Sequence, residues 1–142
     1  MSGRRPISAC QRRLLALWAV LGGLALVVVL AQIAPGGVYA THAGEVLDWF
    51  LPTVVPTFSL MLGSVIADIR SPEPGASVDA FTYRLAVWIS ILYLGLVILI
   101  LLIYAQSPTP VEELKGSGKL IAALYSAVGI VLGGFFVTRR SK

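Results

Sequence analysis

The chain has 142 residues, of which 57% are hydrophobic and 13% charged, with a formal net charge of +4. A soluble domain carries about 25% charged residues, so this composition excludes a disordered tail and counts against a soluble globule. A mean hydropathy of +0.87 points to a membrane.

Four apolar segments follow one another. The first is residues 14–34, preceded by Arg4, Arg5, Arg12 and Arg13 and followed by Val38-Tyr39-Ala40, which looks like a signal cleavage site. A signal h-region runs to about 7–15 residues; this run is longer and reads as a retained helix. Cys10, the only cysteine, forms no internal disulfide and no thiolate metal site. Pro35-Gly36-Gly37 ends the helix. The second segment is residues 49–67, and Ser71-Pro72-Glu73-Pro74-Gly75 breaks the chain after it. The third is residues 85–105. From Leu94 to Ile103 it is almost all Leu, Ile and Val, which reads as a lipid-facing surface. After Ser107-Pro108, the residues Thr109, Pro110 and Glu112 read as an N-cap with a capping box. That predicts a short helical turn as far as Gly116 and Gly118. The fourth segment is residues 120–137.

None of the four contains Asp, Glu, Lys, Arg or His. Each is long enough for the roughly 17–25 apolar residues of a spanning helix. Backbone in lipid must satisfy its own hydrogen bonds, so these are expected to be helices. Period-2 alternation is absent, which argues against a barrel. The expected fold is all-α: one integral membrane bundle of four transmembrane helices over residues 1–142.

The charges predict the topology. Basic residues fall in the N-terminal arm, in the middle loop (Arg70, Arg84) and in the tail (Arg139, Arg140, Lys142), whereas the other two loops hold only Lys115 and Lys119. The positive-inside rule puts both termini and the middle loop in the cytoplasm. A nucleic-acid partner would need a basic folded face, and no domain here carries one. Trp18, Trp49, Phe50, Tyr83, Trp88 and Tyr104 stand near segment ends, as interfacial aromatics do.

The two halves echo each other. Arg13-Leu14-Leu15-Ala16-Leu17-Trp18 resembles Arg84-Leu85-Ala86-Val87-Trp88, and Leu62-Gly63-Ser64 resembles Leu132-Gly133-Gly134. A duplicated helical hairpin would give parallel repeats related by an axis along the membrane normal. Interfacial placement rules alone produce a similar echo.

Two segments carry candidate functional residues. In the second, Pro52 and Pro56 lie one turn apart, and each removes a backbone donor. Thr53 and Thr57 are placed to re-satisfy that backbone. With Ser64 they form a weakly polar stripe, extended by Asp68. This describes either a kinked, pore-lining helix or a kinked helix of purely architectural role. In the fourth, Gly118, Ala122, Ser126, Gly129 and Gly133 form a small-residue seam that includes a GxxxG. Small side chains let helices approach closely. The seam suits packing within the chain, with Gly22 and Gly23 as a partner, or packing between chains.

Catalysis is not expected. Ser64 and His42, the only histidine, fall at opposite ends of the second segment, and there is no HExxH or P-loop. His42 and Glu45 stand at i, i+3 and can pair if the helix starts early. One histidine and scattered carboxylates make no metal site, and no cofactor is expected. Small multidrug exporters share the length and four spans but carry a membrane-buried glutamate in the first helix. Residues 14–34 have none, which counts against a small transporter.

The stretch Trp49-Phe50-Leu51-Pro52-Thr53-Val54-Val55-Pro56-Thr57-Phe58-Ser59-Leu60 is similar to small four-helix membrane proteins encoded beside bacterial conflict and signalling genes. The resemblance implies a bacterial inner-membrane effector or partner. The reading is then a non-catalytic multi-pass protein in the lipid bilayer. It acts by helix packing and self-association, as a pore or membrane effector. An accessory subunit bound to a larger membrane protein is the alternative, and a small transporter the next.

Overall fold

A computed structural model describes residues 5–70 and 77–137. Arg4, the proline-rich break at 71–75 and the tail cations Arg139, Arg140 and Lys142 lie outside the described residues. Four helices make up the fold: α1 (Ile7–Ile33), α2 (Ala43–Arg70), α3 (Ala80–Tyr104) and α4 (Pro110–Val137). All four are long and apolar enough to cross a membrane, the architecture of a multi-pass membrane protein.

The helices outrun their apolar segments. Polar flanks such as Gln11, Arg12 and Arg13 are good helix formers, so α1 begins at Ile7 rather than near Leu14. The stop expected at Gly116 and Gly118 is absent, and α4 runs unbroken through both. A glycine inside a helix costs only about 1 kcal/mol against alanine, which packing can offset. Nor does the Thr109–Glu112 box form. Ser107 Oγ donates to the Glu113 carboxylate at 2.6 Å and accepts the Thr109 N–H at 3.3 Å. Pro35-Gly36-Gly37 does end α1: Gly36 takes φ +89°, and a Cβ on Gly37 would collide with the Gln32 carbonyl. Asp79 caps α3 by accepting the Phe81 N–H at 3.0 Å.

Two short ties fix the helix directions. The two-residue strands β1 (Arg5–Pro6) and β2 (Ser77–Val78) pair antiparallel, which joins the start of α1 to the start of α3. At the opposite end Glu45, in the first turn of α2, pairs with Lys115 near the start of α4. So α1 and α3 run one way and α2 and α4 the other. Both α1 and α4 pack on α2 and on α3, so the order around the bundle is α1, α2, α4, α3. A two-fold along the bundle axis would set α1 and α3 on opposite corners. They are instead neighbours, as are α2 and α4, so the half-chain echo is not expressed as that symmetry.

The core runs the length of the bundle. It includes Leu14, Trp18 and Val29 of α1; Val46, Phe50 and Met61 of α2; Tyr93, Leu94, Val97 and Leu101 of α3; and Leu114, Ile121 and Leu132 of α4. This corrects the reading of Leu94–Ile103 as lipid-facing. One face of that run, Leu94, Val97, Ile100 and Leu101, is buried among the helices. Lipid tails are as apolar as leucine, so an all-aliphatic stretch carries no contrast that marks its inner face.

Candidate functional site

α2 passes through Pro52 and Pro56 as one continuous helix. The prolines lie on its exposed side and the threonines on its inner side, with Thr53 7% and Thr57 6% exposed. Ser64, further along, is half-buried. The predicted stripe therefore faces the bundle interior over Thr53 and Thr57 and reaches its edge at Ser64.

The hydroxyls do not serve the carbonyls that the prolines orphan. Pro52 leaves Asp48 O without its helical donor, and Pro56 leaves Pro52 O. Thr53 Oγ1 donates instead to Trp49 O at 2.7 Å, and Tyr93 O–H donates to Thr53 O at 3.0 Å. Trp49 and Thr53 are the residues three before each proline. In both turns the carbonyl next to the orphaned one takes a side-chain hydroxyl.

Tyr93 belongs to the centre of an aromatic cluster. Its ring lies 6.1 Å from Trp18, nearly parallel to it, and 6.2 Å from Tyr125 at a tilt of 49°. Thus α1, α3 and α4 meet through rings, and α3 meets α2 through a hydrogen bond. Trp18 is fully buried here, not interfacial as its position one turn inside the segment suggested. Trp88, its counterpart in the echo, is 67% exposed. Sequence reading missed Tyr93. The one available signal was its phenol, a polar tip inside an otherwise aliphatic run.

Other buried polar groups divide into satisfied and unsatisfied. Ser90 Oγ donates to Ala86 O at 2.7 Å, and Ser117 Oγ to Leu114 O at 2.6 Å. Among the described residues, both amide atoms of Gln11 and the indole nitrogens of Trp18 and Trp49 are buried without a hydrogen-bond partner.

At the end where α2 and α4 begin, Glu45 accepts from His42 Nδ1 at 2.9 Å and also pairs with Lys115. The i, i+3 pair expected for an early helix start is formed. These side chains line an open cavity of about 460 Å³, together with Thr41, Thr109 and Glu112. Tyr39 is buried beside it in the chain, and burial, with the charge of Glu113, pushes its phenol above the ordinary range. The arrangement is a solvated ion cluster that holds α2 to α4.

The seam on α4 faces outward. Ala122, Ser126 and Gly129 are exposed, and Gly118 and Gly133 are half-buried. A Cβ added at Gly129 or Gly133 would meet nothing within 4 Å; one at Gly118 would sit 3.9 Å from Trp49 Nε1. Among the described residues, no other helix comes within 4 Å of the Cβ positions of Gly129 and Gly133. Ser126 Oγ donates to Ala122 O at 3.0 Å, so its hydroxyl is satisfied within α4. Gly22 and Gly23 do not meet the seam, because α1 and α4 stand on opposite corners. A Cβ on Gly22 would instead lie 3.4 Å from Val54 of α2.

No family model, no curated protein and no solved structure matches this chain.

Proposed function

We propose that the chain is a non-catalytic membrane protein that works by self-association through the outward seam of α4, its assembled form acting as a pore or membrane effector. One observation carries this reading: Ala122, Ser126 and Gly129 present close-approach backbone to the outside of the bundle, with the half-buried Gly133 at its edge. Van der Waals packing across small residues drives helix association in lipid. Ile130, beside the seam, is 77% exposed and adds apolar contact. In the effector form the protein sits in the bacterial inner membrane with both termini cytoplasmic, the orientation that its basic residues favour.

The test is the oligomer mass in detergent, read with ion flux through liposomes holding the same preparation. A defined oligomer with flux supports the pore, and a defined oligomer without flux supports a non-conducting effector. Gly129→Leu with Gly133→Leu is expected to turn the oligomer into a folded monomer, since a Cβ added at either site meets nothing within 4 Å. A silent monomer from the unmodified chain overturns self-association and favours the accessory-subunit reading.

A further inference from the structure

A second outward feature lies on the other side of the bundle. Between α1 and α2 runs an apolar groove of about 260 Å³, lined by Trp18, Gly22 and Gly23 on one wall and Val54, Val55 and Phe58 on the other. No charged side chain lines it. It exists because α1 has small residues where a larger side chain would fill the space: a Cβ on Gly23 would meet nothing within 4 Å.

Depth narrows the choice of occupant. The groove runs along α1 from Trp18 to Leu26, about 12 Å at 1.5 Å per residue. That is most of one leaflet's half of a ~30 Å hydrocarbon core. The wall lies inside the span Ile7–Ile33, so the occupant comes from the bilayer and is apolar at this level.

Charge narrows it further. Arg12, Ala19 and Gly23 stand at i, i+7 and i+11, which places them on one face of α1. Arg12 is exposed about 10 Å below Ala19 along the axis. Among the described residues both ion pairs lie at the other end of the bundle, and neither involves Arg12. A guanidinium presents a planar fork that matches phosphate oxygens. Arg13, also exposed, is turned about 100° away from Arg12.

We propose that the α1–α2 groove seats one acyl chain of an anionic phospholipid from the leaflet on the N-terminal side, with the lipid's phosphate held at Arg12. The groove alone would accept any hydrocarbon. Arg12, in neither ion pair seen among the described residues and two turns away on the same face, selects a chain tethered to a negative headgroup. This site and the α4 seam lie on different helices, so either can fail without the other.

The experiment is native mass spectrometry of the full chain in detergent with phosphatidylglycerol and phosphatidylcholine added at equal concentration. One phosphatidylglycerol is expected to be retained per chain, at about fivefold preference, since one basic residue near an anionic surface contributes about that factor. Arg12→Gln is expected to bring the preference close to parity, and Arg13→Gln to leave it in place. Gly23→Leu fills open space and is expected to reduce retention of both lipids, with an unfolding midpoint no lower than that of the parent chain. Equal retention of the two lipids by the parent chain overturns the proposal. So does lipid retention unchanged in Gly23→Leu. A Gly23→Leu protein with altered oligomer mass and unaltered lipid retention assigns the groove to a helix of a second copy, and also overturns it.

Discussion

Tyr93 of α3 donates its phenolic hydrogen bond to the backbone carbonyl of Thr53 in α2, at 3.0 Å and across the diagonal of the bundle. The bond lands one turn before Pro56, where the proline ring disturbs the helical ladder. Tyr93→Phe removes the donor and keeps the ring contacts with Trp18 and Tyr125. The expected loss is about 1 kcal/mol or less of unfolding free energy. The acceptor is a backbone atom, so Thr53→Val should leave that loss intact. The two substitutions are expected to add to within about 0.5 kcal/mol. Unfolding in detergent measures all three variants, and strong coupling would mean that the Thr53 hydroxyl takes part.

Gln11 poses the reverse case. Its side chain is 1% exposed, and neither amide atom has a partner among the described residues. A buried polar group left unbonded costs about 1–3 kcal/mol. Gln11→Met keeps the length of the side chain and deletes the unpaired atoms. Its unfolding free energy is expected to rise by about 1 kcal/mol. A fall would show that the amide is bonded in the membrane, by water or by a further polar group.

The existence of four helices was legible because hydrocarbon thickness sets a length, and each segment meets it. Which face of each helix points inward was not legible, because lipid and core are equally apolar. Trp18 and Trp88 show the difference. Both follow an arginine and an apolar turn, yet Trp18 is fully buried and Trp88 is 67% exposed. The neighbours decide, and no local pattern names them. Hydroxyls were more informative: Thr53 and Thr57 share a face of α2, and that face is the inner one. The seam was visible as a spacing in α4, while its outward direction followed only from how the other helices pack on α4.

Glu45 joins two elements, through His42 in the turn before α2 and through Lys115 in α4. All three side chains are substantially exposed, so solvent screens the cluster. Lys115→Met is expected to lower the unfolding midpoint at low ionic strength. The difference should vanish near 1 M salt, where the screening length falls to about 3 Å. Midpoints measured across a salt series check this. A difference that persists at high salt would assign Lys115 a packing role.

Pro52 and Pro56 sit on the exposed side of a helix that continues through both. They contribute no side chain to the core, yet each removes a backbone donor. Proline in a helix interior costs about 3 kcal/mol against alanine, part of which local adjustment recovers in a membrane. Pro52→Ala with Pro56→Ala is therefore expected to stabilise the fold, on the order of 1 kcal/mol at each position. The same protein separates shape from function. If the proline turns set the form of α2 in the assembled state, the variant retains its oligomer mass and its flux through liposomes changes. Unchanged flux from a stabilised oligomer would make the two prolines a feature of architecture alone.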